Sequence, residues 1–244
     1  MSTKALWRNG ILTYYDSTTY EQYPAGPYTL FEDDFLGSKL QKIIAAENTV
    51  APWTEVAAGT PTSAALLVAN VANGIAQMAL AATNEAEDST ITFGDQLCFA
   101  ARRGLIFECR ATWNVLTDQA GGIGLIGLGS AHNTTADTMA TNLWFRLEGA
   151  AADILWESDD NVTNDDDNDT GVDAVAGTYH IYRIDCTTAT APKFYIDDVL
   201  VGTAACAFDA TTELVQPYIG MNKASGTSVG TLYVDYIRIW QKRA

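Results

Sequence analysis

Apolar and polar residues alternate along much of the chain from about residue 31 onward, which is the pattern of half-buried β-strands. The alternation is clearest in the last quarter, in segments 179–185, 193–201 and 232–240. Turn-forming residues separate such segments about every 8–15 residues, as in sandwiches and jelly rolls. No convincing amphipathic helix interrupts the series. The pattern therefore predicts an all-β protein built from two packed sheets.

Two turns are predicted inside the strand pattern. Asn73-Gly74 separates two apolar runs and supplies the positive φ angles of a type I′ hairpin turn. Arg103-Gly104 separates a short strand from a longer one that begins at Leu105. The glycine-rich segment 122–128 is predicted to be a strand, because the Lys-Ser/Thr pair of a phosphate-binding loop is missing and no helix follows. Glycine in a strand allows close approach of a neighbouring group.

Residues 1–30 depart from this pattern. The segment is rich in Trp and Tyr, shows no sustained period, and contains Pro24, Gly26 and Pro27, which break helices and central strands. It is too short to build a core of its own. The sequence therefore predicts an extended aromatic N-terminal arm over 1–30 and a β-sandwich domain over 31–244. The arm packs either on its own sandwich or on a neighbouring subunit.

The net charge of −16 narrows the range of partners. Nucleic acid and anionic membrane surfaces both select Lys and Arg, so neither is expected to bind this chain. Long stretches lack any cation; between Arg110 and Arg183 the sequence holds only Arg146. Such a surface fits a very soluble protein, a cation-binding protein or one with a basic partner.

The location expected from the sequence is a cytosol. The first residues lack the apolar core of a signal peptide, and no run of about 18 apolar residues could span a membrane. The four cysteines lie in apolar strand patterns and are expected to be buried, reduced thiols rather than a disulfide framework. They are Cys98, Cys109, Cys186 and Cys206.

The closing strands resemble those of concanavalin A-like jelly-roll domains, which include laminarinase-type glycoside hydrolases and laminin-G-like modules. The residues that carry the resemblance are Tyr195-Ile196-Asp197 with Val199 or Val201, the end of the chain over 234–240, and the opening Phe31-Glu32-Asp33-Asp34-Phe35. The resemblance implies a concanavalin A-like jelly-roll β-sandwich. It leaves the function open, since one fold hosts many functions.

Laminarinase-type enzymes carry E-x-D-x-x-E on one strand, and the two outer glutamates act as nucleophile and acid/base. Glu157 and Asp159 match the first two acids, but Val162 occupies the third position. Asp160 is a poor substitute because its side chain should point away from the face that carries Asp159. The resemblance therefore implies that no catalytic residue set is complete and that the protein is not an enzyme. The histidines His132 and His180 are expected to be structural.

The segment 159–173 holds many aspartates and no cation, and it is interpreted as an acidic loop. Asp165, Asp167 and Asp169 have the alternate spacing of calcium ligands, and oxygen donors suit a hard cation. The Gly171 position and the missing acid at the twelfth position of the loop disagree with an EF-hand. The alternatives are a calcium site at these three residues and a solvated loop without any cofactor.

Carbohydrate binding by a sandwich usually needs an aromatic ring in a loop or on a concave face. Trp53 lies in an evident loop context, Ala51-Pro52-Trp53-Thr54, and is the candidate for such a role. Trp113, Trp144 and Trp240 alternate with apolar neighbours, so core packing is predicted for these three.

The chain also resembles a group of bacteriophage virion proteins that join a short aromatic arm to a lectin-like jelly roll. The matching residues are Leu6 to Asp16, and the segments 154–160, 169–172 and 194–197. The resemblance implies a structural protein of the virion, made in the host cytoplasm. We expect a non-enzymatic capsid decoration, or cement, protein.

The expected partners are the major capsid protein and further copies of this chain, with a trimer suited to three-fold capsid positions. Aromatic and Arg side chains dominate interface energetics, so the arm is expected to supply the contacts. The candidate anchors are Trp7, Arg8, Tyr14, Tyr15, Tyr20 and Tyr23. Two alternatives stay open: a carbohydrate-binding, lectin-like module for adhesion to host glycans, and a glycoside hydrolase.

Overall fold

The protein is an all-β sandwich, which confirms the predicted fold class. The computed structural model describes residues 3–8, 11–16, 22–24, 28–36, 42–43, 52–59, 65–69, 71–119 and 121–243. Within these residues the strands form three sheets, and the helical segments are two short 3-10 turns, Ala101–Arg103 and Ala136–Thr138. No helix in the described part of the chain is long and apolar enough to cross a membrane.

Two large sheets make the sandwich, and a small sheet lies near the N-terminus. The small sheet consists of β1 (Thr3–Arg8), β2 (Ile11–Asp16) and β3 (Gln22–Pro24). The nine-stranded sheet consists of β5 (Lys42–Ile43), β6 (Trp53–Ala58), β9 (Glu87–Thr92), β10 (Phe99–Ala100), β12 (Gly122–Gly129), β13 (Asn142–Glu148), β14 (Asp153–Asp159), β15 (Asn164–Asp173) and β19 (Leu214–Lys223). The eight-stranded sheet consists of β4 (Tyr28–Asp33), β7 (Leu66–Leu67), β8 (Ala76–Leu80), β11 (Ile106–Val115), β16 (His180–Asp185), β17 (Lys193–Ile196), β18 (Val199–Thr203) and β20 (Gly230–Lys242).

The strand order places β15 at one edge of the nine-stranded sheet, followed by β14, β13, β12, β19, β9, β6 and β5, with β10 paired to β19. The eight-stranded sheet runs β18, β17, β16, β11, β20, β8 and β7, with β4 paired to β20. Pairing is antiparallel except between β5 and β6. Non-consecutive neighbours such as β12 and β19, or β11 and β20, tie the two halves of the chain together.

The core lies between the two large sheets and follows the strand alternation. Phe145 and Trp156 of the nine-stranded sheet meet Phe194 of the eight-stranded sheet, with ring centroids 5.4 and 4.9 Å apart. Trp113 and Tyr182 are buried in the same cluster. Each large sheet therefore has an inner face toward this core and an outer face turned away from it.

The predicted turn residues have the expected backbone conformation, but the first hairpin does not have a two-residue turn. Asn73 and Gly74, with φ angles of 74° and 69°, lie at the end of a longer connection between β7 and β8, because Leu67 pairs with Ala76. Asp197 and Asp198, with φ angles of 49° and 64°, do form a two-residue turn, between β17 and β18. The glycine-rich segment is strand β12, where a side chain at Gly124 would meet the Trp113 indole at 2.4 Å. Glycine is needed there because that indole packs against the strand backbone.

The loop interpretation of Trp53 is wrong. Trp53 begins strand β6, is 0% exposed, and donates its indole N–H to Asp33 at 2.7 Å. Phe31, Phe35 and Phe93 pack around its ring. A ring enclosed in this way offers no surface to a sugar. Trp53 is therefore a core residue and not a carbohydrate-binding residue.

The acidic segment is also different from the prediction. Residues 164–173 form strand β15 instead of a solvated loop, because their backbone pairs with β14 along the sheet edge. The cysteine prediction is confirmed for three residues: all four thiols are unpaired, and Cys109, Cys186 and Cys206 are buried, but Cys98 is exposed. Burial raises the pKa of the Cys109 and Cys186 thiols.

Trp240 lies outside the core, in contrast to the prediction, whereas Trp113 and Trp144 are buried as expected. The reason is a bulge in β20. Arg110 pairs with Tyr236 and the next residue of β11 pairs with Val234, so Asp235 is an extra residue in the ladder. An extra residue shifts the alternation by one position. The inner positions change from Leu232 and Val234 to Ile237 and Ile239, and Trp240 faces outward.

The N-terminal segment predicted as an arm contains the small sheet. The backbone of Trp7 and Arg8 lies in β1, that of Tyr14 and Tyr15 in β2, and that of Tyr23 in β3. Tyr20 and the side chains of the other five candidates lie outside the described residues. Strand β4 starts before residue 31 and pairs with β20, so the predicted boundary falls inside a strand of the sandwich.

Candidate functional site

Glu157 is a buried carboxylate on the outer face of the nine-stranded sheet. In β14 the side chains of Ile154 and Trp156 point into the core. By the same alternation, the side chains of Glu157 and Asp159 point away from it. Its direct neighbour across the ladder to β13 is Trp144, where the alternation again puts Phe145 inside. The alternating pattern of two adjacent strands therefore brings Glu157 and Trp144 together on one face.

Two donors hold the Glu157 carboxylate. The Trp144 indole N–H donates to Oε2 at 2.6 Å, and an Arg146 Nη1–H donates to Oε1 at 2.7 Å. Arg146 also pairs with Glu148, which is partly exposed at the rim. Glu157 is only 2% exposed. Burial raises its pKa to about 7, although Arg146 and Trp144 act in the opposite direction. Glu157 therefore exchanges a proton near neutral pH.

An irregularity in β15 adds two more carboxyl groups beside Glu157. Trp156 pairs with Asn168 and Ser158 pairs with Asp165, so Asp166 and Asp167 both lie opposite Glu157. Asp167 has a φ of 50°, in the left-handed region. Carboxylate oxygens of Glu157, Asp166 and Asp167 all lie within 4.8 Å of one another. The charge of Asp166 contributes to the raised pKa of Glu157. The three groups are oxygen donors of the kind that hard cations bind.

The remaining acids of the laminarinase-like pattern lie as the sequence predicts. Asp159 is half-buried on the same face as Glu157, and burial raises its pKa. Asp160 instead accepts backbone N–H groups of Val162, Thr163 and Ala207 at 2.6–2.9 Å. Burial acts to raise its pKa, but these hydrogen bonds lower it overall. Val162, at the position of the third acid, is 92% exposed.

The middle of this outer face is filled by the chain itself. Residues 130–141, here called the covering segment, lie over β12 and β19, where Ala136 and Met139 pack against Trp144 and Tyr218. The covering segment also places the His132 ring parallel to Tyr218, with centroids 5.8 Å apart, and pairs its Nε2 with Asp88 at 2.8 Å. His132 is structural in this setting. The accessible part of the site is consequently the rim formed by β14 and β15.

The three predicted calcium ligands are not brought together. Asp165 pairs with Ser158 and Asp169 with Leu155, and these two β14 residues point to opposite faces of the sheet. Asp165 accepts the backbone N–H of Ala205, and Asp169 accepts that of Gly171. Only Asp167 joins the cluster at Glu157. Calcium binding by the three residues stays a prediction.

Sequence reasoning identified Glu157 and missed its partners. Arg146 carries a signal in retrospect, because it is the only cation in the sequence between Arg110 and Arg183 and lies in an apolar strand. Trp144 was assigned to the core, which is correct for its burial but leaves out its hydrogen bond to Glu157. Asp166 could not be singled out among its neighbours, because the irregular register of β15 selects it.

Comparison with known proteins relates this fold to glycoside hydrolases. No family model matches the sequence, and no curated protein matches it. Among solved structures, the laminarinase catalytic domain of Thermotoga maritima MSB8 has a TM-score of 0.55 at 11% identity, over 89% of this chain and 99% of that one. A non-specific endo-β-1,3(4)-glucanase of glycoside hydrolase family 16 has a TM-score of 0.56 at 14% identity, over 89% and 92%. A protein of unknown function from Shewanella oneidensis MR-1 has a TM-score of 0.61 at 11% identity, over 88% and 87%.

These neighbours confirm the concanavalin A-like jelly-roll fold. They contradict the prediction of a non-enzymatic capsid decoration protein, because the reported neighbours with a stated activity are a laminarinase and an endo-β-1,3(4)-glucanase. The prediction rested on Val162 at the position of the third acid and on the assignment of the acidic segment to a solvated loop. The expected virion location, the capsid partner, the oligomeric state and the anchoring role of the arm stay predictions.

Proposed function

We propose that this protein binds a neutral glycan at the rim of the nine-stranded sheet and hydrolyses it with Glu157 and Asp166. One observation carries the proposal: the buried carboxyl of Glu157, whose pKa burial raises to about 7, has an oxygen within 4.8 Å of a carboxylate oxygen of Asp166. Retaining glycosidases hold their two carboxyl groups about 5–5.5 Å apart. The shared fold with endo-glycosidases supports the same conclusion.

The different environments of the two carboxyl groups give them different roles. Protonated Glu157 donates its proton to the glycosidic oxygen, so that the leaving sugar departs as a neutral alcohol. Ionised Asp166 attacks the anomeric carbon and forms a glycosyl ester. Water then cleaves this ester, giving its proton to Glu157 and its hydroxyl to the sugar, and Asp166 is released as a carboxylate. Asp166 is exposed on β15, where a glycan can approach it.

The charges at the rim support a neutral substrate. Glu148, Asp159, Asp167 and Asp169 surround the pair, and Arg146 is directed to Glu157 and Glu148. Sulfated or uronic sugars would meet like charges, whereas sugar hydroxyls donate well to carboxylates. One neighbour in fold was solved with laminaritriose and laminaritetraose, which are neutral.

The test is release of reducing ends from laminarin and from neutral galactans. Wild-type protein should release them, and Glu157→Gln should lower the rate by at least 100-fold, because the amide cannot donate a proton as an acid does. Asp173→Asn is the matched control: it makes the analogous acid-to-amide change on an exposed β15 residue paired with Asp153, away from Glu157. Equal rates in wild type and Glu157→Gln would refute the assigned role.

Glycan binding without turnover is the second candidate, and Val162 favours it because the third acid of the laminarinase pattern is absent. Calorimetric titration with laminaritetraose separates the two. Binding without release of reducing ends would support this candidate and remove the hydrolytic one. Absence of both binding and release with every neutral glycan would remove both.

A further inference from the structure

The outer face of the eight-stranded sheet carries partly exposed aromatic rings beside charged side chains. Beyond the bulge in β20, Tyr236, Arg238 and Trp240 face outward. Trp240 pairs with Ile106 on β11 and with Leu30 on β4, both of which are on the same face. Leu30 is 45% exposed. This face therefore offers a large ring in an apolar setting that solvent can reach.

A pocket of about 580 Å³ lies over Trp240. Its lining includes Ile106, Glu108, Arg183, Asp185, Trp240 and Lys242. Pockets that bind small ligands have volumes of about 300–1,000 Å³ and combine an apolar surface with a few placed polar groups. The size and the mixture of side chains both correspond to a binding site.

The charges of the pocket indicate what kind of ligand fits. Two carboxylates, Glu108 and Asp185, face two cations, Arg183 and Lys242, so the lining is neutral in a chain of net charge −16. An anionic ligand would be attracted by the two cations but repelled by the two carboxylates. A cationic ligand would be attracted by the carboxylates but repelled by the cations. A neutral ligand with many hydroxyl groups can donate to the carboxylates and accept from the guanidinium and ammonium groups. The C–H face of a pyranose ring would cover the Trp240 ring.

Three of the four charged groups of the pocket are held in place before any ligand binds. Arg183 pairs with Asp198 and lies 4.5 Å from the centroid of the Tyr195 ring. Glu108 accepts the Tyr236 hydroxyl at 3.1 Å, and Asp185 accepts the backbone N–H of Thr187 at 2.8 Å. Groups fixed in advance lose little freedom on binding, which favours affinity.

We propose that this pocket is a second carbohydrate-binding site, with Trp240 as the stacking platform for a neutral pyranose. Its ligand class rests on the proposed function, but its residues do not. The pocket lies on the opposite outer face of the sandwich from Glu157. It would hold a polysaccharide close to the protein while the rim at Glu157 acts on another part of the chain or on a neighbouring chain.

The experiment is titration of the 244-residue chain with laminaritetraose and cellotetraose. Binding is followed by calorimetry and by the indole N–H resonances in ¹⁵N NMR spectra. The resonance that Trp240→Phe removes should shift on titration. Trp240→Ala should weaken binding at least tenfold, whereas Tyr233→Ala should not. Tyr233 is the matched control, because it is a partly exposed aromatic residue on the other side of the bulge in β20.

The two proposals fail separately. Loss of binding in Trp240→Ala, with retained hydrolysis of short soluble oligosaccharides, supports the second site. Unchanged affinity in Trp240→Ala, or an indole resonance that does not move at saturation, overturns it whatever Glu157→Gln does. Asp185→Asn is a second test that leaves the Trp240 ring intact. Its oligosaccharide affinity is expected to fall about threefold or more, and unchanged affinity would count against the site.

Discussion

The two outer faces of the sandwich differ in how far their ion pairs are exposed to water. On the nine-stranded sheet, Glu157 and Arg146 form an ion pair whose side chains are 3% and 6% exposed, and Trp144 beside them is fully buried. On the eight-stranded sheet, the pair of Arg238 with Glu32 is partly open to water, and Arg238 lies over the Tyr236 ring. The same sandwich therefore shields one ion pair from water and leaves the other exposed to it.

The largest expected effect comes from removing the cation of the buried pair, and the exposed pair serves as the comparison. Arg146→Met should destabilise the protein by about 3–5 kcal/mol, because the buried Glu157 carboxyl loses its partner and must either stay charged without it or take up a proton. Arg238→Met should cost only about 0–1 kcal/mol, because water solvates the remaining Glu32. Urea denaturation at pH 8 measures both. Similar losses in the two variants would show that the faces do not differ in this way.

A medium effect is expected from pH. The folded-state pKa of Glu157, about 7, is above its ordinary value of 4.5, so its contribution to stability is complete below pH 4.5 and is lost as the pH rises through 7. From pH 5 to pH 8 the wild type should lose about 2 kcal/mol relative to Glu157→Gln. Urea denaturation of the two proteins at both pH values measures it. A constant difference would contradict the raised pKa.

Asp197 on the other sheet sharpens this test because its pKa is shifted in the opposite direction to that of Glu157. Burial acts to raise its pKa, but hydrogen bonds with His180 and the backbone N–H of Ile181 lower it overall. Its contribution is therefore present above the unfolded-state pKa and is lost as the pH falls through the folded-state value. Wild type and Asp197→Asn should converge in stability on acidification, in the range where the Glu157 contribution is complete.

The smallest effect is expected on the open face. Tyr195→Leu removes the ring under Arg183 and should cost about 0.5–1 kcal/mol, which is typical of an exposed cation–π contact. Because Arg183 lines the Trp240 pocket, the same variant should weaken oligosaccharide binding slightly. Thermal unfolding and calorimetric titration measure the two changes. A loss above about 2 kcal/mol would mean that this face is part of the folding core.

Sequence reasoning predicted the sandwich because alternation and turn chemistry are local. Asp197-Asp198, for example, forms a two-residue turn directly between two paired strands. Strand β15 escaped prediction because aspartate has low β-propensity, and pairing with β14 outweighs that preference. Trp53 escaped because the partner of its indole, Asp33, is twenty residues away in sequence.

The candidate site was predicted only in part for a similar reason. Glu157 could be found from a short spacing pattern, and its outward direction follows from Ile154 and Trp156. The neighbours that set its pKa come from β13 and from an irregular register in β15. No local sequence pattern predicts which strand pairs with β14 or where the register becomes irregular. Arg146 and Asp166 could therefore be identified only from the folded structure.

The extra residue in β20 also affects how this chain can change in length during evolution. Loss of Asp235 would leave Val234 opposite Ala111 and Tyr236 opposite Arg110, so the ladder would become regular and every later side chain would keep its side of the sheet. Loss of Ile237 would instead exchange interior and surface for the rest of the strand. Gaps among divergent relatives are therefore expected to fall at Asp235, and an alignment that places them elsewhere in β20 would match core residues with surface residues.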